Sequence, residues 1–142
     1  MQTLDPAITD VVTAKFHTIP ISEKLNMKIQ SLGVGEAHIS MPNERGYHGI
    51  FDSLHGGLLM TLADTTACVA ILTQVGVEDV ITTTDMNNRF LAPCLTDATA
   101  EAKIIKLGKS LVPVHVSLRD AQKKEVAIAQ VTYMRLGKMP SR

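Results

Sequence analysis

The chain has 142 residues, about the length of one domain, and its 14 Lys+Arg balance 14 Asp+Glu for a formal net charge of zero. That balance argues against a dedicated nucleic-acid binder, whose phosphate-driven affinity needs an excess of basic residues. Hydrophobic residues at 45% and charged residues at 20% exclude a disordered chain, and a fold of this size buries about two-thirds of the surface its unfolded chain exposes.

The opening stretch, Met1 to Pro6, carries an acid where a signal peptide would have a basic region ahead of an apolar one, so a cytoplasmic location is expected. Residues 6–17 place Ile8, Val11, Val12 and Phe16 on one helical stripe with Pro6 in the first turn, which makes 1–20 a helical opening segment. From Leu25 the period falls to two. Leu25, Met27 and Ile29 alternate with polar residues, and after Gly33 and Gly35 so do Ala37, Ile39 and Met41, which predicts a β-hairpin with one wet face. Residues 42–53 have no period and form a loop. His55 to Gln74 is apolar nearly all round, the mark of a helix covered on most sides, and Gly76 closes it. Between Leu54 and Val77 the run also holds His55, Asp64 and five threonines or glutamines, a costly content for lipid, so a buried helix is expected rather than a membrane span. Four strands follow at 80–91, 98–107, 111–119 and 125–136, and Pro113 in the third argues for an edge or a bulge. Residues 137–142 read as a flexible tail, and no linker divides 1–142, so a single domain is expected.

An antiparallel sheet has one face to cover, and a helix that is apolar all round has the complementary need. The predicted architecture is α+β, with a curved antiparallel sheet wrapped around one long buried helix. Its outer face and edges leave apolar area, so oligomerisation is expected.

Asp64 is the lone acid of that helix, and no Lys or Arg stands three or four residues away to pair with it. Burying a carboxylate without a partner costs several kcal/mol, so Asp64 reads as functional, against a tertiary salt bridge or an exposed stripe. At the helix start, His55-Gly56-Gly57 leaves backbone N–H groups uncrowded by side chains, an arrangement that can serve as an oxyanion hole. Together the two features describe acyl transfer. Gly56 and Asp64 lie eight residues apart, about 12 Å along a helix, whereas groups acting on one carbonyl must lie within about 3.5 Å of it. If both act, Asp64 comes from a second subunit and the site lies across a dimer interface.

Leu54-His-Gly-Gly-Leu-Leu-Met-Thr-Leu-Ala-Asp64, followed by Thr83-Thr-Asp-Met-Asn-Asn-Arg-Phe-Leu-Ala-Pro93, resembles the hotdog-fold acyl-CoA thioesterases of the phenylacetate-pathway type across roughly residues 25–136. The resemblance implies a homodimeric or homotetrameric hotdog fold hydrolysing an acyl-CoA, with no metal or redox cofactor. By it, Asp64 matches the catalytic acid, as base or nucleophile, and Gly56 the residue whose N–H polarises the thioester carbonyl. His55 matches the motif histidine that shapes the turn, Thr83 falls where relatives carry a hydroxyl near the attacking water, and Cys68 falls one turn after the acid. Gly49 stands where relatives have Asn or Gln to orient water or thioester, so His48 or Asn43, in the same loop, is the expected substitute. Gly57, Arg89, Lys106 and Lys109 are the further candidates for substrate contact, the three basic residues toward the phosphates of coenzyme A.

His17, His38 and His115 read as surface residues. His48, His55 and Asp64 lack metal-ligand spacing, and Cys68 and Cys94 lack the CxxC spacing of a zinc knuckle or disulfide framework. The competing functions are a hotdog hydratase or dehydratase and a noncatalytic acyl-CoA-binding module, the latter favoured by Gly49. No nucleic-acid or membrane partner is expected.

Overall fold

Proline opens both short helices of the chain, which a computed structural model describes over residues 1–140. Helix α1 (Pro6–Phe16) is capped by Asp5, whose carboxylate accepts the Ala7 N–H at 2.7 Å. Val12 and Phe16 of the predicted stripe are buried, whereas Ile8 and Val11 remain 40% and 50% exposed. Helix α2 (Pro20–Lys24) corrects the sequence reading. Leu25 and Met27 are buried as the period-two pattern requires, yet they lie before the strand, at the close of a helical turn that Pro20 starts. Asn26, at φ +50°, ends that turn, and the Met27 N–H returns to the Ser22 carbonyl at 2.9 Å.

Strand β1 (Lys28–Gly33) pairs antiparallel with β2 (Glu36–Met41), whose Ala37, Ile39 and Met41 are fully buried. Helix α3 (Gly56–Val75) follows, then β3 (Asp79–Phe90), β4 (Ala98–Ile104), β5 (Leu111–Arg119) and β6 (Glu125–Lys138). The six strands form one antiparallel sheet in the order β1-β2-β4-β5-β6-β3, curved around α3. Val112, Val114, Val116 and Leu118 of β5 are fully buried with Leu62, Ala63, Ala67 and Ala70 of α3. Helix α3 is long and apolar enough to cross a membrane by composition, but 61% of its most apolar window is buried inside the fold, as a core helix.

Three strand expectations are corrected. The second of the four later strands ends at Ile104, not Leu107. Pro113 lies in a central strand, neither at an edge nor at a bulge. The reason joins the two observations: the Pro113 carbonyl accepts the Ile105 N–H at 2.9 Å, just past the end of β4. The side on which proline lacks a donor therefore faces the β4–β5 connection, and no ladder bond is lost. Finally, Gly137 and Lys138 continue β6, opposite Val80 and Asp79, rather than belonging to the tail; residues 141 and 142 lie outside the described residues.

Strand β3 positions the site. It is an edge strand, exposed through Thr82–Asp85, and it runs beside α3 so that Thr83 reaches Asp64 while Phe90 lies over Gly56.

Candidate active site

His55 caps α3 with backbone at φ −60°, ψ 131°, and its Nδ1 accepts the Gly57 N–H at 2.9 Å. That bond places the ring proton on Nε2. The His55 carbonyl takes the Leu58 and Leu59 N–H groups, its own N–H goes to the Tyr47 carbonyl, and the Leu54 N–H goes to the Cys94 carbonyl. The helix start is thus held by two loops. Among the described residues the Gly56 N–H has no acceptor, while the Gly57 N–H is spent on His55. The two glycines are there for different reasons. A Cβ at Gly56 would meet the Phe90 ring at 3.1–3.2 Å, and one at Gly57 would meet His55 Nδ1 at 3.0 Å.

Asp64 is half-buried, two turns into α3. Its Oδ1 accepts from the Thr83 hydroxyl and from the Tyr133 hydroxyl, each at 2.8 Å, and Tyr133 Oη also stands 2.9 Å from the Asp64 carbonyl. Among the described residues Oδ2 accepts nothing and no ion pair reaches Asp64. The partner that burial demands is therefore a pair of hydroxyls on one oxygen, leaving the other oxygen free. Tyr133 escaped the sequence reading. The signal was a hydroxyl-bearing ring in phase with the buried Ala129 and Val131 of β6, a position where the O–H must find a partner. Burial, with repulsion from the Cys68 thiolate that forms only at high pH and from the Asp64 charge, holds the Tyr133 hydroxyl well above its ordinary range, so it stays protonated as a donor.

Cys68 sits one turn beyond Asp64. Burial, with the Asp64 charge, pushes its thiol up to about 11, so at neutral pH it is not a nucleophilic thiolate. The arrangement as a whole offers a fixed carboxylate and, about 12 Å along the same helix, an unengaged backbone donor at a positive helix terminus.

The sequence profile of the thioesterase superfamily matches residues 51–127, more than half of the chain and including both ends of this arrangement. The chain belongs to the thioesterase superfamily. A 1,4-dihydroxy-2-naphthoyl-CoA hydrolase of Listeria monocytogenes is 27% identical over 115 residues, 79% of this chain and 92% of that protein. Among solved structures, the E. coli PaaI protein from the phenylacetic acid degradation operon superposes with a TM-score of 0.87 at 23% identity, covering 98% of this chain and 100% of that one. A thioesterase from Haemophilus influenzae gives a TM-score of 0.82 at 21% identity, covering 90% of each chain. The fold is the hotdog fold.

The remaining candidates divide in this thioesterase-superfamily chain. His48 and Asn43 lie together, His48 Nε2 against Asn43 Oδ1, and the Asn43 N–H is tied to Asp97 at 2.7 Å. Gly49 packs beside the capping histidine; a Cβ there would find only ordinary contacts, the nearest at 3.7 Å to the His55 ring, so the position has room for a side chain. Arg89 bonds to Asn87 and the Asn88 carbonyl on its own strand. Lys106 and Lys109 are exposed in the β4–β5 connection, and no hydrogen bond ties them or Arg89 to Gly56 or Asp64.

Proposed function

We propose that the chain is an acyl-CoA thioesterase, releasing free acid and coenzyme A from a site shared by two subunits. The observation that carries this reading is the Asp64 carboxylate, with Oδ1 held by Thr83 and Tyr133 and Oδ2 free. Asp64 Oδ2 acts as general base. A water whose protons point to Oδ2 and to a lone pair of the Thr83 hydroxyl attacks the thioester carbon, and one of its protons passes to Asp64. The carbonyl oxygen becomes an oxyanion at the Gly56 N–H, beside the helix terminus. Collapse breaks the C–S bond, and the proton held on Asp64 returns to the departing sulfur, giving acid and free thiol. The name of the Listeria relative supports a CoA thioester as the substrate class.

The shared site follows from the helical separation together with the edge strand. The twelve-residue β3 leaves one side of its backbone unpaired, a template for another strand. Two copies of β3 paired antiparallel about their centre would set the Phe90 end of one beside the Asp79 end of the other. The Gly56 of each copy then approaches the Asp64 of its mate in a homodimer, alone or within a dimer of dimers.

Incubation with an acyl-CoA, trapping free thiol and recovering the carboxylic acid, tests the reading. A noncatalytic binder, which Gly49 favours as the second reading, releases no thiol, and a hydratase alters the acyl chain instead.

Tyr133→Phe isolates one of the two hydroxyls on Oδ1. Because Thr83 remains, kcat should fall about tenfold with KM unchanged, a split that general loosening of the fold would not produce. An unchanged kcat would remove Tyr133 from the positioning of Asp64.

A further inference from the structure

Beyond Asp64, Cys68 and Leu72 follow at successive four-residue steps, so they share its stripe of α3. From Cys68 onward that stripe floors an apolar groove that the proposed mechanism does not use. Its nearer part, about 480 Å³, runs between α3 and the start of β3 and includes Cys68, Leu72, Val77, Val80, Ile81 and Met139. Its farther part, about 290 Å³, runs between α3 and α1 and is lined by Ala7, Ile8, Val11, Val12, Leu72 and Val77. Leu72 and Val77 line both parts, so the two lie next to one another on either side of these side chains. Ile8 and Val11 are the two residues of the α1 stripe left open when Val12 and Phe16 enter the core, and clustered exposed apolar side chains of this kind mark a binding surface. Among the described residues, charge is confined to the nearer part, at Lys15, Glu78 and Asp79, and Asp79 is already paired with Arg135 at 2.8 Å. No aromatic ring lines either part.

The groove has a definite length. From Asp64 to Gly76 is twelve residues of helix, about 18 Å, and an extended chain advances roughly 1.2 Å per bond. We propose that this groove holds the acyl chain of the substrate, so that the enzyme acts on linear saturated acyl thioesters of roughly ten to fourteen carbons in preference to aryl ones. The proposal rests on the reading of Asp64 as the catalytic acid, which lies one turn of α3 before Cys68, where the lining of the groove begins.

The test measures kcat/KM on saturated acyl-CoA thioesters from butanoyl to hexadecanoyl, with phenylacetyl-CoA beside them. It also measures the affinity of S-dodecyl-CoA, a thioether with no scissile carbonyl. Each methylene taken into the groove should raise kcat/KM about two- to fourfold until the groove is full. Val11→Trp fills the farther part from an exposed helical position; it should lower the dodecanoyl-to-hexanoyl ratio of kcat/KM at least tenfold and weaken S-dodecyl-CoA binding comparably. Ile8→Glu, which lines the same part with a charge, should do the same, and it decides the matter if the tryptophan variant misfolds. Ile105→Ser, an exposed apolar residue outside the groove, should change neither quantity. A flat chain-length profile, or a ratio that both groove variants leave within about twofold, overturns the proposal while thioester hydrolysis itself stands. If no thioester is hydrolysed, the hydrolase reading fails, and the groove then stands on thioether binding that the variants abolish. If the wild type does not bind S-dodecyl-CoA and the variants change the oligomer mass by light scattering, the groove is a contact between copies and the proposal is overturned.

Discussion

Asp64→Asn is expected to lower kcat/KM on an acyl-CoA by about 10³-fold or more, as removal of a general base or nucleophile does. The substitution suits the site because an asparagine Oδ1 can still accept from Thr83 and Tyr133. What changes is the free oxygen, which becomes an amide with no lone pair for the proton of water. No ion pair is broken, since none among the described residues reaches Asp64, and the melting curve should therefore stay close to that of the wild type. Retention of more than a tenth of wild-type activity in a normally folded variant would remove Asp64 from the chemistry.

Gly56→Pro should cost about 10²- to 10³-fold in kcat, the usual loss for one oxyanion donor. Proline is tolerated at the first helical position, and His55 before it already has the extended ψ of 131° that a residue preceding proline prefers. The new Cβ presses on the Phe90 ring at 3.1 Å, but Phe90 is 53% exposed and free to give by a few tenths of an ångström. Gly56→Ala imposes the same pressure and keeps the N–H, so it separates crowding from the lost donor. Alanine should cost no more than about tenfold; equal losses in the two variants would mean that the Gly56 N–H does not polarise the carbonyl.

Much of this molecule can be read from residue periods because its two main surfaces are simple. The all-round apolar character of α3 and the strict alternation along β2 and β5 leave one way to bury both, and the helix start and Asp64 stand out against that background by chemical type. What could not be read depends on distant partners. Leu25, Met27 and Ile29 satisfy a strand period, but Pro20 and Asn26 turn the first two into the end of a helical turn that buries them equally well. Pro113 is harmless in a central strand because β4 has ended beside it, and the point where a neighbouring strand stops is not written in the local sequence. Tyr133 is 69 residues from Asp64, and only the register of β6 with β3 brings its hydroxyl to the carboxylate that Thr83 also holds. Ile8 and Val11 fit the α1 stripe but stay open, along a groove they line with Leu72 and Val77.

The most direct test of a site shared between subunits mixes two inactive proteins, Asp64→Asn and Gly56→Pro. In a heterodimer one site joins the intact Asp64 of the proline variant to the intact Gly56 of the asparagine variant, and the other site holds both defects. Co-expression of differently tagged chains, followed by isolation of the verified heterodimer, should restore thioester hydrolysis up to one working site per dimer, half the activity of the wild-type dimer. Heterodimers that stay inactive, while each parent is folded and dimeric, would contradict the shared site.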